Sequence, residues 1–343
     1  MKQAFPRVAG NQKLREHLLC EIVEGSLPHA YIIEGAPGSG RHTLALQLAA
    51  ALSCERQQEE NTPLPCGACL ACRNILGGFS TDIIYVNRED RATLGVAAIR
   101  KLREDVLFPP NDMPRKLYVI EEAHLMTEEA QNAFLLTLEE PPPYAMFLLL
   151  CDTSATLLET VKSRAPILRT EPLERDMIDA EVCKISARAA QMKRQEPEKY
   201  RELLSAANGS IGRMLALLDP EGSAAILGKR ELARRFITVF LQTKSAIETV
   251  RLFRRLPQKR DALTDLLELV LVCLRDLLLS KQSERAPLCF FTSQEEASEL
   301  AYHFTIPELL RLSDRVQDTI SHLSANANIN LTLHALAKDA GIM

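Results

Sequence analysis

The sequence has no tryptophan, aromatic residues make up only 5 % of it, and its formal charge is −4. No basic tract and no helix of DNA-reading type stands out, so a free-standing protein that coats nucleic acid is disfavoured, although a local basic patch does not register in a total charge. There is also no basic, apolar and small-residue leader at the start. The longest apolar stretch, Leu266 to Leu279, is broken by Glu268, Arg275 and Asp276. Neither a secretory signal nor a membrane span is expected, and a cytoplasmic location follows by default. Internal repeats and low-complexity tracts are missing too.

What is present is length and apolar content. With 343 residues, 46 % of them hydrophobic, the chain can bury two or three cores. The first half alternates apolar runs (Ala30 to Glu34, Ile83 to Val86, Leu117 to Ile120, Met146 to Cys151) with amphipathic stretches, the order of a parallel sheet with crossover helices. From about Pro172 the spacing turns helical, through Met177 to Ala190, Tyr200 to Ala207 and Ile211 to Leu218. Asp219-Pro220-Glu221-Gly222 reads as a breaker. Helices resume at Lys229 to Gln242, Ala246 to Arg255, Asp261 to Lys281 and Ile306 to Leu323. The expected domains are 1–171, α/β with an insertion at 54–72; 172–222, small and helical; and 223–343, all helical.

Four of the nine cysteines are bunched as Cys54-x11-Cys66-x2-Cys69-x2-Cys72. Four thiolates suit a tetrahedral Zn²⁺, and with no position left for water the role is structural. An iron–sulfur cluster is the competing reading, but the Cys-Pro that closes the ferredoxin pattern is missing.

After the first apolar run come Gly35, Gly38, Gly40, Arg41, His42 and Thr43, a strand, glycine turn and helix in the order of a phosphate-binding loop. That frame calls for Lys and then Ser or Thr after the second fixed glycine. Arg41 is planar and longer than Lys, and the imidazole of His42 is a poor ligand for Mg²⁺. A second acidic element ends the third run, at Glu121 and Glu122, where a Walker B strand holds metal and orients water.

The stretch Glu121-Glu122-Ala123-His124 followed by Asn132-Ala133-Phe134-Leu135-Leu136-Thr137-Leu138-Glu139-Glu140-Pro141-Pro142 resembles the AAA+ subunits of DNA polymerase III clamp loaders. So do Thr160-Val161-Lys162-Ser163-Arg164-Ala165, which align with their Ser-Arg-Cys motif, and Val8-Ala9-Gly10-Asn11-Gln12, which lies near the adenine in that family. Asn326-Ala327-Asn328-Ile329-Asn330-Leu331 is similar to the lead into the family's last helix. The resemblance implies an AAA+ phosphate-loop domain with a zinc knuckle, a helical lid and a helical oligomerisation collar. It implies gamma/tau and delta subunits as partners, with the sliding clamp met indirectly and primed DNA through the assembled complex. It makes Arg164, preceded by Ser163, an arginine finger that reaches a neighbour's ATP.

Departures cluster at the nucleotide site. Glu121 replaces an Asp, Cys151 and Asp152 replace a Thr pair, and Gly212 falls where the motor carries its sensor-2 Arg, with Arg213 one position round the helix. Together with Arg41 and His42 they imply a member whose own ATP binding is doubtful and which lacks intrinsic hydrolysis. The alternative is a gamma/tau-like motor in which Arg41 and Thr43 have taken over. The tau form carries further C-terminal domains, which counts against that form of the alternative and leaves a short gamma form open. A free-standing zinc DNA-binding protein is the third class, disfavoured by the missing electrostatic footprint.

Overall fold

A computed structural model of the chain describes residues 3–59, 61–89, 91–283, 288–325 and 327–342. It divides into two compact units, one of Met1–Glu181 with Gly209–Arg213, the other of Val182–Asn208 with Met214–Met343.

The first unit is built on five parallel strands, β1 (Ala30–Glu34), β2 (Ile83–Val86), β3 (Lys116–Ile120), β4 (Ala145–Cys151) and β5 (Ile167–Arg169), in the order β2-β3-β4-β1-β5. With them go α1 (Gln12–Glu24), α2 (Arg41–Leu52), α3 (Leu70–Leu76), α4 (Val96–Asp105), α5 (Glu128–Glu139), α6 (Glu159–Lys162) and α7 (Arg175–Ile185, whose last turn from Val182 belongs to the second unit). The expected α/β class, a parallel sheet flanked by helices, is what the chain adopts. Four strands lie where the apolar runs put them; β5, three residues long, carries no signal of its own.

Strand alternation makes two cores out of one sheet. Tyr31, Ile33, Leu117, Val119, Met146, Leu148 and Leu150 face one side, and Ala30, Ile32, Tyr118, Ile120, Phe147 and Leu149 the other. Both faces are covered, which is why these strands read as continuous apolar runs. Register follows: Ala30 lies opposite Phe147 and Lys116 opposite Ala145, and a one-residue slip would exchange every side chain between the cores.

Just before β2, the fully buried Asp82 accepts backbone N–H groups from Asn111, Asp112 and Met113 at 2.7, 2.7 and 2.9 Å. Burial opposes its charge, but these donors prevail and hold its carboxyl below the ordinary 3.8. Asp82→Ala strands three donors and is expected to cost about 3 kcal/mol in urea unfolding. Because the folded pKa is depressed, the native carboxylate's contribution is full above about pH 4 and fades as the pH falls through the folded value, so the gap between the two proteins should narrow in acid. A gap unchanged at pH 3 would contradict this account.

The second unit comprises α8 (Ala187–Gln195), α9 (Pro197–Ala206), α10 (Ile211–Leu217, whose first turn belongs to the first unit), α11 (Pro220–Ile237), α12 (Ala246–Phe253), α13 (Arg260–Gln282), α14 (Gln294–Tyr302), α15 (Ile306–Ser324) and α16 (Ile329–Asp339). The breaker at 219–222 needs correction. Asp219 is the N-cap and Pro220 the first residue of α11, so the helix begins nine residues before Lys229. Proline is preorganised for that position and loses no hydrogen bond there. The helical stretch at 177–190 is interrupted at Ser186, which caps α8 by accepting the N–H of Ala189. Between α11 and α12 the backbone takes a π-helical turn, Thr238–Thr243, ending at Lys244 with φ +44°. Asn326 lies outside the described residues. No helix among the described residues is long and apolar enough to cross a membrane.

Candidate functional site

The strand order places the carboxyl ends of β1, β4 and β3 side by side, the edge at which open α/β sheets hold ligands. The glycine loop follows β1, Asp152 follows β4, and Glu121 and Glu122 follow β3.

The loop has the backbone of a phosphate cradle. Gly38 and Gly40 have φ +76° and +93°, and Gly40 precedes α2. Gly35 is fixed by crowding instead: a Cβ there would lie 1.8 Å from Oγ1 of Thr170, which shares a 2.8 Å hydrogen bond with Ser39. Thr43 sits half-buried in the first turn of α2.

Around this cradle, side chains that a working ATP site would turn towards nucleotide and metal pair with one another. Arg41 Nη2 meets Asp152 Oδ1 at 2.7 Å, and its Nη1 is buried without a hydrogen-bond partner. His42 Nδ1 lies 3.5 Å from Glu121 Oε1. Glu122, itself at φ +48°, accepts from Arg88 Nε at 2.6 Å, and that bond holds its carboxyl below the usual range. His124 accepts the N–H of Asp152 at 3.3 Å. Sequence reasoning marked each departure singly but missed Arg88. Nothing in the sequence ties it to a glutamate 34 positions away.

The start of α10 closes over the loop. Gly212 N donates to Gly38 O at 3.1 Å, and Ser210 Oγ to Pro37 O at 3.1 Å. A Cβ at position 212 would stand 2.8 Å from Gly38 Cα and 3.0 Å from its carbonyl oxygen. This gives a steric reason for glycine where the motor carries arginine, while Arg213 is exposed. Gly212→Ala gains up to about 1 kcal/mol of helix propensity. It also forces two backbones apart at about 1–3 kcal/mol, so net destabilisation is expected in urea unfolding. A more stable variant would show that the contact is not close in solution.

The four cysteines come together between α2 and the end of α3. Their Sγ atoms all lie within 4.8 Å of one another, and Cys66 and Cys72 are 3.9 Å apart. Four sulfurs at 2.3 Å from a tetrahedral Zn²⁺ would be about 3.8 Å apart, so the set fits that ion with little movement. Cys66 Sγ accepts the N–H groups of Ala68 and Cys69 at 3.4 and 3.3 Å, and Cys69 Sγ accepts that of Cys72 at 3.4 Å. Burial raises Cys54 and Cys72; at Cys66 burial is outweighed by the donated N–H groups, which bring its thiol down to about 7. Cys54, Leu64, Cys69, Cys72 and Ile75 belong to the same core as one face of the sheet. The module is thus continuous with the domain.

Arg164 follows α6, whose C-cap is Ser163. Its Nη1 donates to Thr160 O at 2.9 Å and its Nη2 to Glu139 Oε1 at 2.6 Å, with a third of the side chain exposed.

Residues 10–174 match the family model described as "DNA polymerase III, delta subunit". The chain is 30 % identical to the tau subunit of DNA polymerase III from Bacillus subtilis over 63 % of its length, and 30 % identical to the tau subunit from Escherichia coli over 70 %. Those segments make up 37 % and 36 % of the two relatives, so the chain spans little more than a third of either. Among solved structures, a gamma-subunit-related protein of DNA polymerase III from Thermotoga maritima is similar over 95 % of this chain and 97 % of its own, at 18 % identity and a TM-score of 0.46. Over the matched region, a little under half of the chain for the family model, the sequence is similar to the delta and tau subunits of DNA polymerase III.

Proposed function

We propose that the chain is the delta-prime subunit of a DNA polymerase III clamp loader. In this reading it sits beside gamma/tau and delta, does not hydrolyse ATP, and supplies Arg164 to a neighbouring ATP site while the sliding clamp is loaded onto primed DNA. It meets the clamp indirectly and primed DNA through the assembled complex. The observation that carries this reading is the mutual pairing of Arg41 with Asp152, His42 with Glu121 and Arg88 with Glu122. Each pair occupies a side chain that phosphoryl transfer would need for phosphate, metal or water.

The opposite is expected of Arg164. A guanidinium that is only partly buried, and bonded to one exposed carboxylate and one backbone carbonyl, is available for exchange with a phosphate, which offers it bidentate geometry. The four-thiolate module gives structural zinc a closed site with no catalytic position. ATP turnover by the reconstituted loader, with and without Arg164, tests the finger.

A second reading, a gamma/tau-like motor, is favoured by the names of the relatives, with Arg41 standing in for the lysine and Thr43 for the metal-binding hydroxyl. It requires Arg41 to leave Asp152 and α10 to lift from Gly38.

A further inference from the structure

Lysine and arginine are unevenly spread along this chain. Between Lys229 and Arg260 there are ten of them against two acidic residues, Glu231 and Glu248, a local charge of +8 in a chain whose total is −4. No run of consecutive basic residues announces this, because the cations are spaced through helices. Folded, some are spent internally: Lys229 pairs with Asp265, Arg234 with Glu296, and Arg235 and Arg251 share Glu248. Arg230 is buried over the ring of Phe290, and Arg260 donates to the carbonyls of Leu323 and Ala327. Lys244, Arg254, Arg255 and Lys259 flank α12.

Arg254 and Arg255 are exposed just past the end of that helix, and Lys259 is exposed in the turn that follows. At its other end Lys244 borders a hollow of about 150 Å³, lined also by Phe240, Leu241, Glu308, Arg311 and Arg315. Among the described residues no acidic side chain pairs with Arg254, Arg255, Lys259, Arg311 or Arg315. Glu308, the hollow's one acid, accepts from Thr305 through one oxygen and lies 3.5 Å from Lys244 through the other.

Helix dipoles do not account for so much charge. A helix C-terminus carries about half a negative charge, whereas Arg251, Arg254 and Arg255 bring three positive ones to the end of α12 and Glu248 offsets one. Arg311 and Arg315 stand four apart on α15, a like-charge pair of which Glu308, in the same hollow, offsets one charge. The eight residues of α12 span about 12 Å, a length of duplex axis that carries about seven phosphate charges.

We propose that this face of the helical C-terminal unit binds the phosphate backbone of nucleic acid without reading its sequence, with the hollow between Lys244, Arg311 and Arg315 taking one phosphate group. No tryptophan exists in the chain and no exposed aromatic ring lines the hollow, so contact with the backbone is favoured over base stacking. The inference stands on charge placement in the second unit and does not depend on the ATP site.

The test is anisotropy of a fluorescein-labelled 20-base-pair duplex titrated with the full chain across a salt series. Six cations, Lys244, Arg254, Arg255, Lys259, Arg311 and Arg315, predict that log K falls against log salt with a slope of about −5. The double variants Arg254→Glu/Arg255→Glu and Arg311→Glu/Arg315→Glu should each bind at least tenfold more weakly, with a shallower slope and unchanged circular dichroism. The neutral Arg254→Gln/Arg255→Gln variant should fall between them and the native chain. An unlabelled single strand should compete, since it offers the same phosphates. Native affinity and slope in both charge-reversed variants would overturn the proposal, as would a polyglutamate of equal charge displacing the duplex as well as DNA does.

Discussion

Replacing Arg164 by alanine is expected to lower hydrolysis at the ATP site it faces by roughly 10³-fold, the scale on which a guanidinium supplied across an interface acts on phosphoryl transfer. Charge spreads over the equatorial oxygens of the transferring group in the transition state, and a planar cation already oriented there needs no solvent rearrangement to meet it. The loss should appear in kcat rather than in nucleotide affinity, because the interaction strengthens only as that charge develops. Arg164→Lys, which keeps the charge but not the fork, should recover a minor part. The substitution leaves the chain folded: the side chain is a third exposed, and its pair with Glu139 is a surface interaction of about 0–1 kcal/mol. Single-turnover hydrolysis by the reconstituted complex reads the effect. Equal rates for the native and alanine complexes would remove the finger from the account.

Metal removal is expected to have the second large effect. Native chain should carry one zinc per molecule by atomic absorption, and Cys72→Ser should carry almost none, because the fully buried Cys72 has the smallest freedom to be replaced by solvent. Structural zinc contributes about 10–16 kcal/mol in isolated fingers. Here part of that is replaced by the core that Cys54, Leu64 and Ile75 share with the sheet, so the expected outcome is a drop of ten degrees or more in Tm and not a wholly unfolded chain. Ligands must lose their protons to bind metal, so affinity should fall as the solution is acidified. Zinc-free protein that melts with the native chain would show that the thiols pack without needing an ion.

Most of the fold was legible because the physics was local. Buried strands with both faces covered read as apolar runs, and the cysteine spacing announced its cluster. Misreadings came where a residue has two uses. Pro220 and Gly222 look like an interruption, yet proline is welcome in the first turn of α11. β5 is too short to carry a pattern, and the π-helical turn at 238–243 has no sequence signal. At the candidate site the departures from the motor's pattern were visible one by one, but their compensation was not. That Arg41 closes on Asp152, or Arg88 on Glu122, depends on neighbouring strand ends that are far apart in the chain. Gly212 is the clearest case: absence of an arginine became, in three dimensions, absence of a Cβ against Gly38.

The proposed delta-prime reading requires a phosphate loop that keeps its backbone and has lost its chemistry. It is tested most directly by incubating the purified native chain with radiolabelled ATP and Mg²⁺ and following phosphate release. No release above the protein-free control is expected, with or without Mg²⁺. Magnesium-dependent turnover that is lost on replacing Arg41 or Thr43 would contradict it and establish the motor reading instead.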